Sequence, residues 1–181
     1  MTEGIETDRL QLRPLTLDDV DLLVGLDRDP EVMRFINGGK PSPRAEVEKI
    51  VRASLGHRWV ATDRSTDDFV GWFALFPTGD GDYELGYRLR RKMWGKGLAT
   101  EGAQALVAAA FERLNARRVW AQTMTVNAAS RRVMKKCGLR YVRTFHLDWP
   151  EPIEGTELGD VEYEIVREDY APLPGTTRYA S

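Results

Sequence analysis

The stretch YELGYRLRRKMWGKGLATE, from Tyr83 to Glu101, constrains the fold more than any other part of the chain. From Tyr83 to Arg90 its side chains alternate in character, which is typical of a β-strand with two different faces. Helix-favouring residues begin after Gly97 and continue to about Leu114. The stretch therefore predicts a strand, a glycine-containing turn and a long helix in direct succession.

The turn has the composition of an anion site. Gly95 and Gly97 flank Lys96, and glycine readily adopts the positive φ angles that bring a backbone close to a ligand. The helix N-terminus behind the turn offers unpaired N–H groups and a partial positive charge, to which Lys96 adds a full charge. A phosphate-bearing ligand is therefore expected at this turn.

Two common phosphate-binding motifs do not fit the turn. In a P-loop, a Ser or Thr for magnesium follows the lysine, whereas Gly97 follows Lys96 here. In a dinucleotide-binding loop, a third glycine is needed where this chain has Thr100. Binding of a nucleotide such as ATP or NAD by the two glycines in another way stays open as an alternative.

The run K-x-x-G-x-G from Lys92 to Gly97 resembles the acyl-CoA pyrophosphate loop of the GNAT superfamily of N-acyltransferases. That family's pattern is [RQ]-x-x-G-x-[GA], so Lys92 is a basic variant of its first position. The preceding Glu84-Leu-Gly-Tyr and the opening TDRLQLRPLT resemble the RimJ/RimL branch, whose founding members acetylate the N-termini of ribosomal proteins. The resemblance covers roughly Thr7 to Tyr170, which is nearly the whole chain.

The predicted element order is β-α-α-β-β-β-α-β-α-β-β. Strands are expected at 9–15, 58–62, 69–76, 83–90, 118–124, 140–147 and 161–167, and the main helices at 16–26, 42–55, 98–114 and 127–136. Short polar turns between the second, third and fourth strands indicate an antiparallel meander. The resemblance implies an α+β fold (α/β mixed sheet), the GNAT acyl-CoA N-acyltransferase fold. Its mostly antiparallel sheet, flanked by helices, splays open between strands four and five.

Composition bounds the class of protein. Because the chain has 181 residues, we expect one domain over 1–170 with a flexible tail over 171–181. Its net charge of −2 argues against a nucleic-acid scaffold. The longest apolar run, Ala105 to Phe111, is too short to span a bilayer, and the single Cys137 suits a reducing cytoplasm. His57 and His146 are isolated, so no metal site is expected. We expect a cytoplasmic protein without nucleic-acid or membrane partners, and a homodimer is left open.

The resemblance implies an acetyl-CoA-dependent N-acetyltransferase. Such an enzyme moves an acetyl group to a primary amine, on a protein N-terminus or a small molecule, by direct transfer in a ternary complex. The alternative from another class is a catalytically weak acyl-CoA-binding or sensing module on the same fold. The residues expected to contact the cofactor are Tyr87, Leu89, Arg90, Lys92, Met93, Trp94, Gly95, Lys96, Gly97, Leu98, Ala99, Thr100, Asn127 and Ser130.

Glu84 is the candidate general base. The attacking amine must be neutral, and a lysine of pKa ~10.4 is almost wholly protonated near neutral pH, whereas an α-amine of ~7.7–8.0 is partly free. Glu84 shares a strand face with Gly86, where a missing side chain leaves room for substrate, and related enzymes use a glutamate of this strand. The structural alternatives are a solvated strand carboxylate and an ion pair with Arg88 on the same face. For Glu101, in the first helical turn, a structural role that complements the helix dipole is favoured.

Two positions depart from the family pattern. Gln122 stands where some N-terminal acetyltransferases of the superfamily have a glutamate that acts as the general base. Met134 stands where many members have a tyrosine that acts as the general acid. Ser130 is then a candidate acid, although a hydrogen bond to the cofactor or a helix cap is favoured. Asn127 is either a plain helix cap or a cap that also binds the pantetheine arm, and the resemblance favours the second. A general acid is optional, because a thiolate leaves readily.

Overall fold

The computed structural model describes residues 3–172 and 178–179. Within them, the strands are β1 (Ile5–Glu6), β2 (Leu10–Pro14), β3 (Arg58–Asp63), β4 (Phe69–Gly79), β5 (Asp82–Leu89), β6 (Arg118–Met124), β7 (Arg140–Phe145), β8 (Asp160–Val166) and β9 (Arg178–Tyr179). The α-helices are α1 (Val20–Leu26), α2 (Pro30–Asn37), α3 (Arg44–Ala53), α4 (Leu98–Glu112) and α5 (Ala128–Lys136). No helix of this described part is both long and apolar enough to cross a bilayer.

The described strands form one mixed sheet in the order β7-β8-β6-β5-β4-β3-β2-β1-β9. Neighbours are antiparallel except β5 and β6, which pair in parallel only from Asp82↔Arg118 to Glu84↔Trp120. Beyond Glu84 the two strands separate, so the backbone groups of β5 lose their ladder partners on that side. The predicted meander β3-β4-β5 and the predicted splay are both confirmed.

Helices α4 and α5 cover one face of the sheet. The larger core lies there, with Phe73, Leu85, Leu89 and Leu106 all at most 5% exposed. A Cβ atom on Gly102 would lie 2.3 Å from the Phe73 ring, so only glycine lets α4 approach the sheet this closely. This contact places the N-terminus of α4 beside the end of β5.

Helices α1, α2 and α3 cover the opposite face. A second core forms there around Val24, Val51, Trp72 and Ala74. The polar face of β5, with Glu84, Gly86 and Arg88, belongs to this side, because these residues pair with Phe76, Ala74 and Trp72 of β4. The strand therefore presents polar groups toward the three-helix layer.

The chain termini differ from the sequence prediction. β1 was not predicted, and it pairs with β2 on one side and with β9 on the other. Part of the predicted flexible tail, Arg178–Tyr179, is thus a strand in the sheet. The rest of that tail beyond Pro172 lies outside the described residues. Two-residue strands carry too few residues to show a period-2 pattern, so the sequence does not reveal them.

Candidate active site

A cavity of about 500 Å³ opens where β5 and β6 separate. It is bounded by β5, the β5–α4 turn, the end of β6, α5 and, on the other side of the sheet, α2. It brings together most of the predicted site residues: Glu84, Tyr87, Leu89, Met93, Trp94, Gly95, Gly97, Leu98, Ala99, Thr100, Asn127 and Ser130. One cleft thus joins the anion-site turn to the candidate base.

The β5–α4 turn is shaped to receive an anion. Gly95 and Gly97 have φ angles of 73° and 81°, as their sequence context predicts. Within the described residues, the N–H groups of residues 95–100 donate to no protein acceptor, and the helical ladder starts with Glu101 N–H bonded to the Gly97 carbonyl at 3.0 Å. These free donors at a helix N-terminus fit the pyrophosphate of an acyl-CoA.

Arg9 and Glu101 hold this turn in place. Arg9 donates from Nη1 to the Lys96 carbonyl at 2.8 Å and from Nε to Glu101 Oε2 at 2.6 Å. Glu101 Oε1 accepts hydrogen bonds from the Thr7 hydroxyl and the Arg9 backbone N–H. Burial would raise the pKa of Glu101, but the hydrogen bonds from Thr7 and Arg9 hold it below its ordinary value. These contacts support the structural role predicted for Glu101.

Three predicted cofactor contacts do not line the cavity with their side chains: Arg90, Lys92 and Lys96. Lys92 Nζ instead pairs with Asp68 Oδ2 at 3.1 Å on the protein surface. The position that aligns with the first residue of the family pattern is therefore held in an ion pair and does not line the cavity. Binding of the cofactor by these three residues stays a prediction.

Glu84 is half-buried in the cavity, and its Oε1 lies 3.4 Å from Gln122 Nε2 across the gap between β5 and β6. Burial raises the pKa of its carboxyl, and the hydrogen bond from Gln122 offsets part of that rise. One predicted alternative, an ion pair with Arg88, is absent from the described residues. Arg88 Nη1 instead donates to Asp27 Oδ1 at 2.6 Å.

Ser130 is paired with Tyr87, a contact that the sequence does not indicate. The two hydroxyl oxygens lie 2.9 Å apart, and Tyr87 also donates to the Ser130 carbonyl at 3.2 Å. Burial raises the pKa of Tyr87, so its phenol stays protonated. Asn127 caps α5 by accepting the Ser130 N–H at 3.2 Å, as predicted, and its amide also donates to Thr123. Ser130 is therefore not the cap of its helix.

A larger cavity, of about 890 Å³, lies between α4, α5 and the edge of the sheet at β7 and β8. None of the predicted site residues lines it. Burial raises the pKa of its Cys137 thiol to about 12, which keeps that sulfur protonated and unreactive. The larger cavity therefore lacks an activated cysteine nucleophile.

Most of the chain matches one family of known proteins. Residues 9–140 match the family model described as "Acetyltransferase (GNAT) domain". The chain is 34% identical to "FsC-acetyl coenzyme A-N(2)-transacetylase" from Aspergillus fumigatus, over 96% of this chain and 81% of the relative. It is 29% identical to "Uncharacterized N-acetyltransferase p20" from Bacillus licheniformis, over 93% and 99% of the two chains.

Solved structures show the same fold. A GNAT-family acetyltransferase from Bacillus anthracis superposes with a TM-score of 0.77 at 24% identity, covering 91% of this chain and 99% of that one. Spermidine N-acetyltransferase from Vibrio cholerae, in complex with CoA and spermine, gives a TM-score of 0.75 at 16% identity, with coverages of 88% and 96%. The chain therefore belongs to the GNAT family and is an acetyl-CoA-dependent N-acetyltransferase.

Proposed function

We propose that this enzyme acetylates a primary amine on a small molecule, by direct transfer in a ternary complex with Glu84 as the general base. The observation that carries the proposal is the position of the Glu84 carboxylate. It lies in the same cleft as the anion-binding turn, on the face of β5 that looks toward α2, and its pKa is raised by burial. A carboxylate whose pKa is raised is better suited to accept a proton near neutral pH.

The donor side of the cleft is built from backbone and helix ends. The free N–H groups of residues 95–100 would hold the pyrophosphate of acetyl-CoA, and Asn127 and Ser130, at the N-terminal end of α5, would contact its pantetheine arm. When bound, acetyl-CoA supplies an acetyl group activated as a thioester. β5 beyond Glu84 has no ladder partner on the β6 side, so its backbone N–H groups are available to the thioester oxygen.

On the acceptor side, the amine enters between α2 and the polar face of β5. Its nitrogen forms a bond to the acetyl carbon, the C–S bond breaks, and the amine proton passes to a Glu84 carboxylate oxygen, directly or through water. Gln122 steadies that carboxylate through its amide N–H. The departing sulfur is a weak base and can leave as a thiolate, so the Tyr87–Ser130 hydroxyl pair can assist it by a hydrogen bond without being essential.

One feature favours a small-molecule acceptor. A relative that is 34% identical is named for acetyl transfer to an N(2) nitrogen of FsC. A protein N-terminus is the second candidate acceptor, because the Glu84-Leu-Gly-Tyr run and the chain opening resemble the RimJ/RimL branch.

The test is thiol release from acetyl-CoA with a panel of small primary amines and a matched panel of N-terminal peptides. We expect turnover with small amines that falls by at least ~10² in the Glu84→Gln variant. Turnover with peptides alone would favour the second candidate. CoA binding without turnover on any amine would contradict the proposal.

A further inference from the structure

Arg88 lies on the same face of β5 as Glu84, four residues further along the strand, and its side chain lines the same cavity. Its side chain is only 18% exposed, and its guanidinium donates from Nη1 to Asp27 Oδ1 at 2.6 Å. The Asp27 side chain, just after α1, is 6% exposed. The acceptor side of the cleft therefore contains a guanidinium whose orientation is set by a buried carboxylate.

A second guanidinium lies behind the first. Arg58 of β3 is 7% exposed, and its guanidinium carbon stacks 4.0 Å from the centroid of the Trp72 ring. The Arg88 guanidinium lies 5.3 Å from that ring, which itself lines the cavity. Arg58 Nε is buried and has no hydrogen-bond partner among the described residues. Burial is the main reason that the pKa of Arg58 is lowered to about 10, and the positive charge of Arg88 lowers it further. The negative charge of Asp27 offsets part of this decrease.

This cluster has two positive charges and one negative charge. Asp27 is the carboxylate that raises the pKa of Arg58, and it already accepts the hydrogen bond from Arg88. A buried charge without a partner is costly, so the wall of the cavity at Arg88 favours an incoming anion. Apart from the bond to Asp27, the N–H groups of Arg88 have no acceptor within the described part of the chain, so donors remain for a ligand.

We propose that the acceptor carries a carboxylate as well as its primary amine, and that Arg88 binds the carboxylate while Glu84 receives the amine proton. This inference rests on the proposed function and adds the substrate class: a small amino acid with the two groups well separated. Residues four apart on a strand lie roughly 13 Å apart at their Cα atoms. Because both side chains are long and lie on one face, an acceptor with several bonds between amine and carboxylate spans them.

The charges around the cavity agree with such a dipolar acceptor. Glu84 and Glu31 both line the cavity, and within the described residues neither carboxylate pairs with Arg88. A polyamine has no group to bind Arg88 and would bring further positive charge toward Arg58 and Arg88. Spermidine is therefore expected to be a poor acceptor for this enzyme.

The first experiment uses the unmodified enzyme with linear ω-amino acids of increasing length, their carboxamides and the n-alkylamines of equal length. At the best chain length, we expect kcat/KM for the acid to exceed that for the alkylamine by roughly tenfold to a hundredfold, the value of a hydrogen bond to a charged group. Equal rates for acids and alkylamines would overturn this inference and leave the proposed function intact. Failure with every small amine would overturn both.

The second experiment uses Arg88→Gln, with Arg52→Gln on the exposed side of α3 as the matched control. In Arg88→Gln the KM for the acid should rise by tenfold or more, the preference over the alkylamine should vanish, and the KM for acetyl-CoA should stay unchanged. The control should keep the preference. If removal of Arg88 prevents folding because Asp27 is left buried alone, Asp27→Asn with Arg88→Gln removes both charges and should show the same loss. A raised KM for acetyl-CoA with an unchanged acid preference would assign Arg88 to the donor and overturn the inference.

Discussion

Glu84 Oε1 and Gln122 Nε2 face each other at 3.4 Å across the opening between β5 and β6. Glu84 belongs to the last of the three residue pairs that join these strands, so the contact lies where the sheet begins to open. Because an amide cannot take up a proton at ordinary pH, Gln122 can orient the carboxylate but cannot replace it. This arrangement leaves Glu84 as the acid–base group of the pair.

Glu84→Gln should lower kcat by at least ~10² on the true acceptor, because general-base assistance typically contributes that much. The affinity for acetyl-CoA, measured by calorimetry, should change little. Activity should recover as pH rises and the amine loses its proton without help. Glu46→Gln, which alters an exposed carboxylate of α3 that does not line the cavity, is the control and should change kcat by less than roughly tenfold. Near-normal kcat in Glu84→Gln at neutral pH would show that positioning of the two reactants dominates.

The pH dependence of kcat should report the raised pKa of Glu84. The base must be ionised, so activity should fall as pH drops through a pKa above the ordinary value of 4.5. Gln122→Leu removes a hydrogen bond that lowers this pKa, so the acidic limb should move to higher pH. Steady-state profiles of the wild type and both variants would test this. An acidic limb that persists unchanged in Glu84→Gln would assign the ionisation to another group.

The turn before α4 should tolerate no side chain at Gly97. Gly97→Ala places a Cβ at φ 81°, within 3.4 Å of Arg9 Nη2, in the loop whose N–H groups are free. Gly56→Ala is a matched control, because Gly56 has φ 80° and no atom within 4 Å of its Cβ position. Both variants should lose ~1–2 kcal/mol of stability from the left-handed backbone. Thermal stabilisation by CoA should drop only in Gly97→Ala, and equal stabilisation of both variants would remove the turn from the cofactor site.

The contact of Glu101 with Thr7 and Arg9 should contribute stability that depends on pH. The folded-state pKa of Glu101 is lowered, so its contribution is fully present above the unfolded value of about 4.5 and is lost as pH falls through the folded pKa. Near neutral pH, Glu101→Gln should lower Tm by a few degrees, whereas Glu48→Gln, in the surface pair with Arg44, should do little. The difference between wild type and Glu101→Gln should shrink in acid. A constant Tm difference across that range would contradict the predicted linkage.

The hydroxyl pair of Tyr87 and Ser130 should assist the leaving sulfur without being essential. Ser130→Ala and Tyr87→Phe should each leave kcat within roughly tenfold of wild type, because a thiolate departs readily. Single-turnover rates with saturating acetyl-CoA measure this step. A loss of more than about 10² in kcat with unchanged KM would instead identify the pair as an obligatory acid.

Structural features that depend only on residues close together in the chain can be predicted from the sequence alone. The alternation before Gly95, the glycines at positive φ and the helix that begins at Leu98 are local properties, and the structure has all three. The cap at Asn127 is also local, since its acceptor oxygen and the N–H of Ser130 are three residues apart. Short-range sterics and hydrogen bonds decide such features, so a single sequence suffices to predict them.

The partners of the charged side chains were decided only by the tertiary structure. Within β5, sequence spacing suggests an ion pair between Glu84 and Arg88, yet the fold gives Arg88 to Asp27, 61 residues away, and places Gln122 beside Glu84. Helices α1–α3 pack on one face of the sheet, and β5 separates from β6 near its middle. Neither arrangement can be predicted from the residues of β5 alone. Whether a carboxylate is a free base or half of an ion pair depends on which distant groups are brought within hydrogen-bond distance when the sheet assembles.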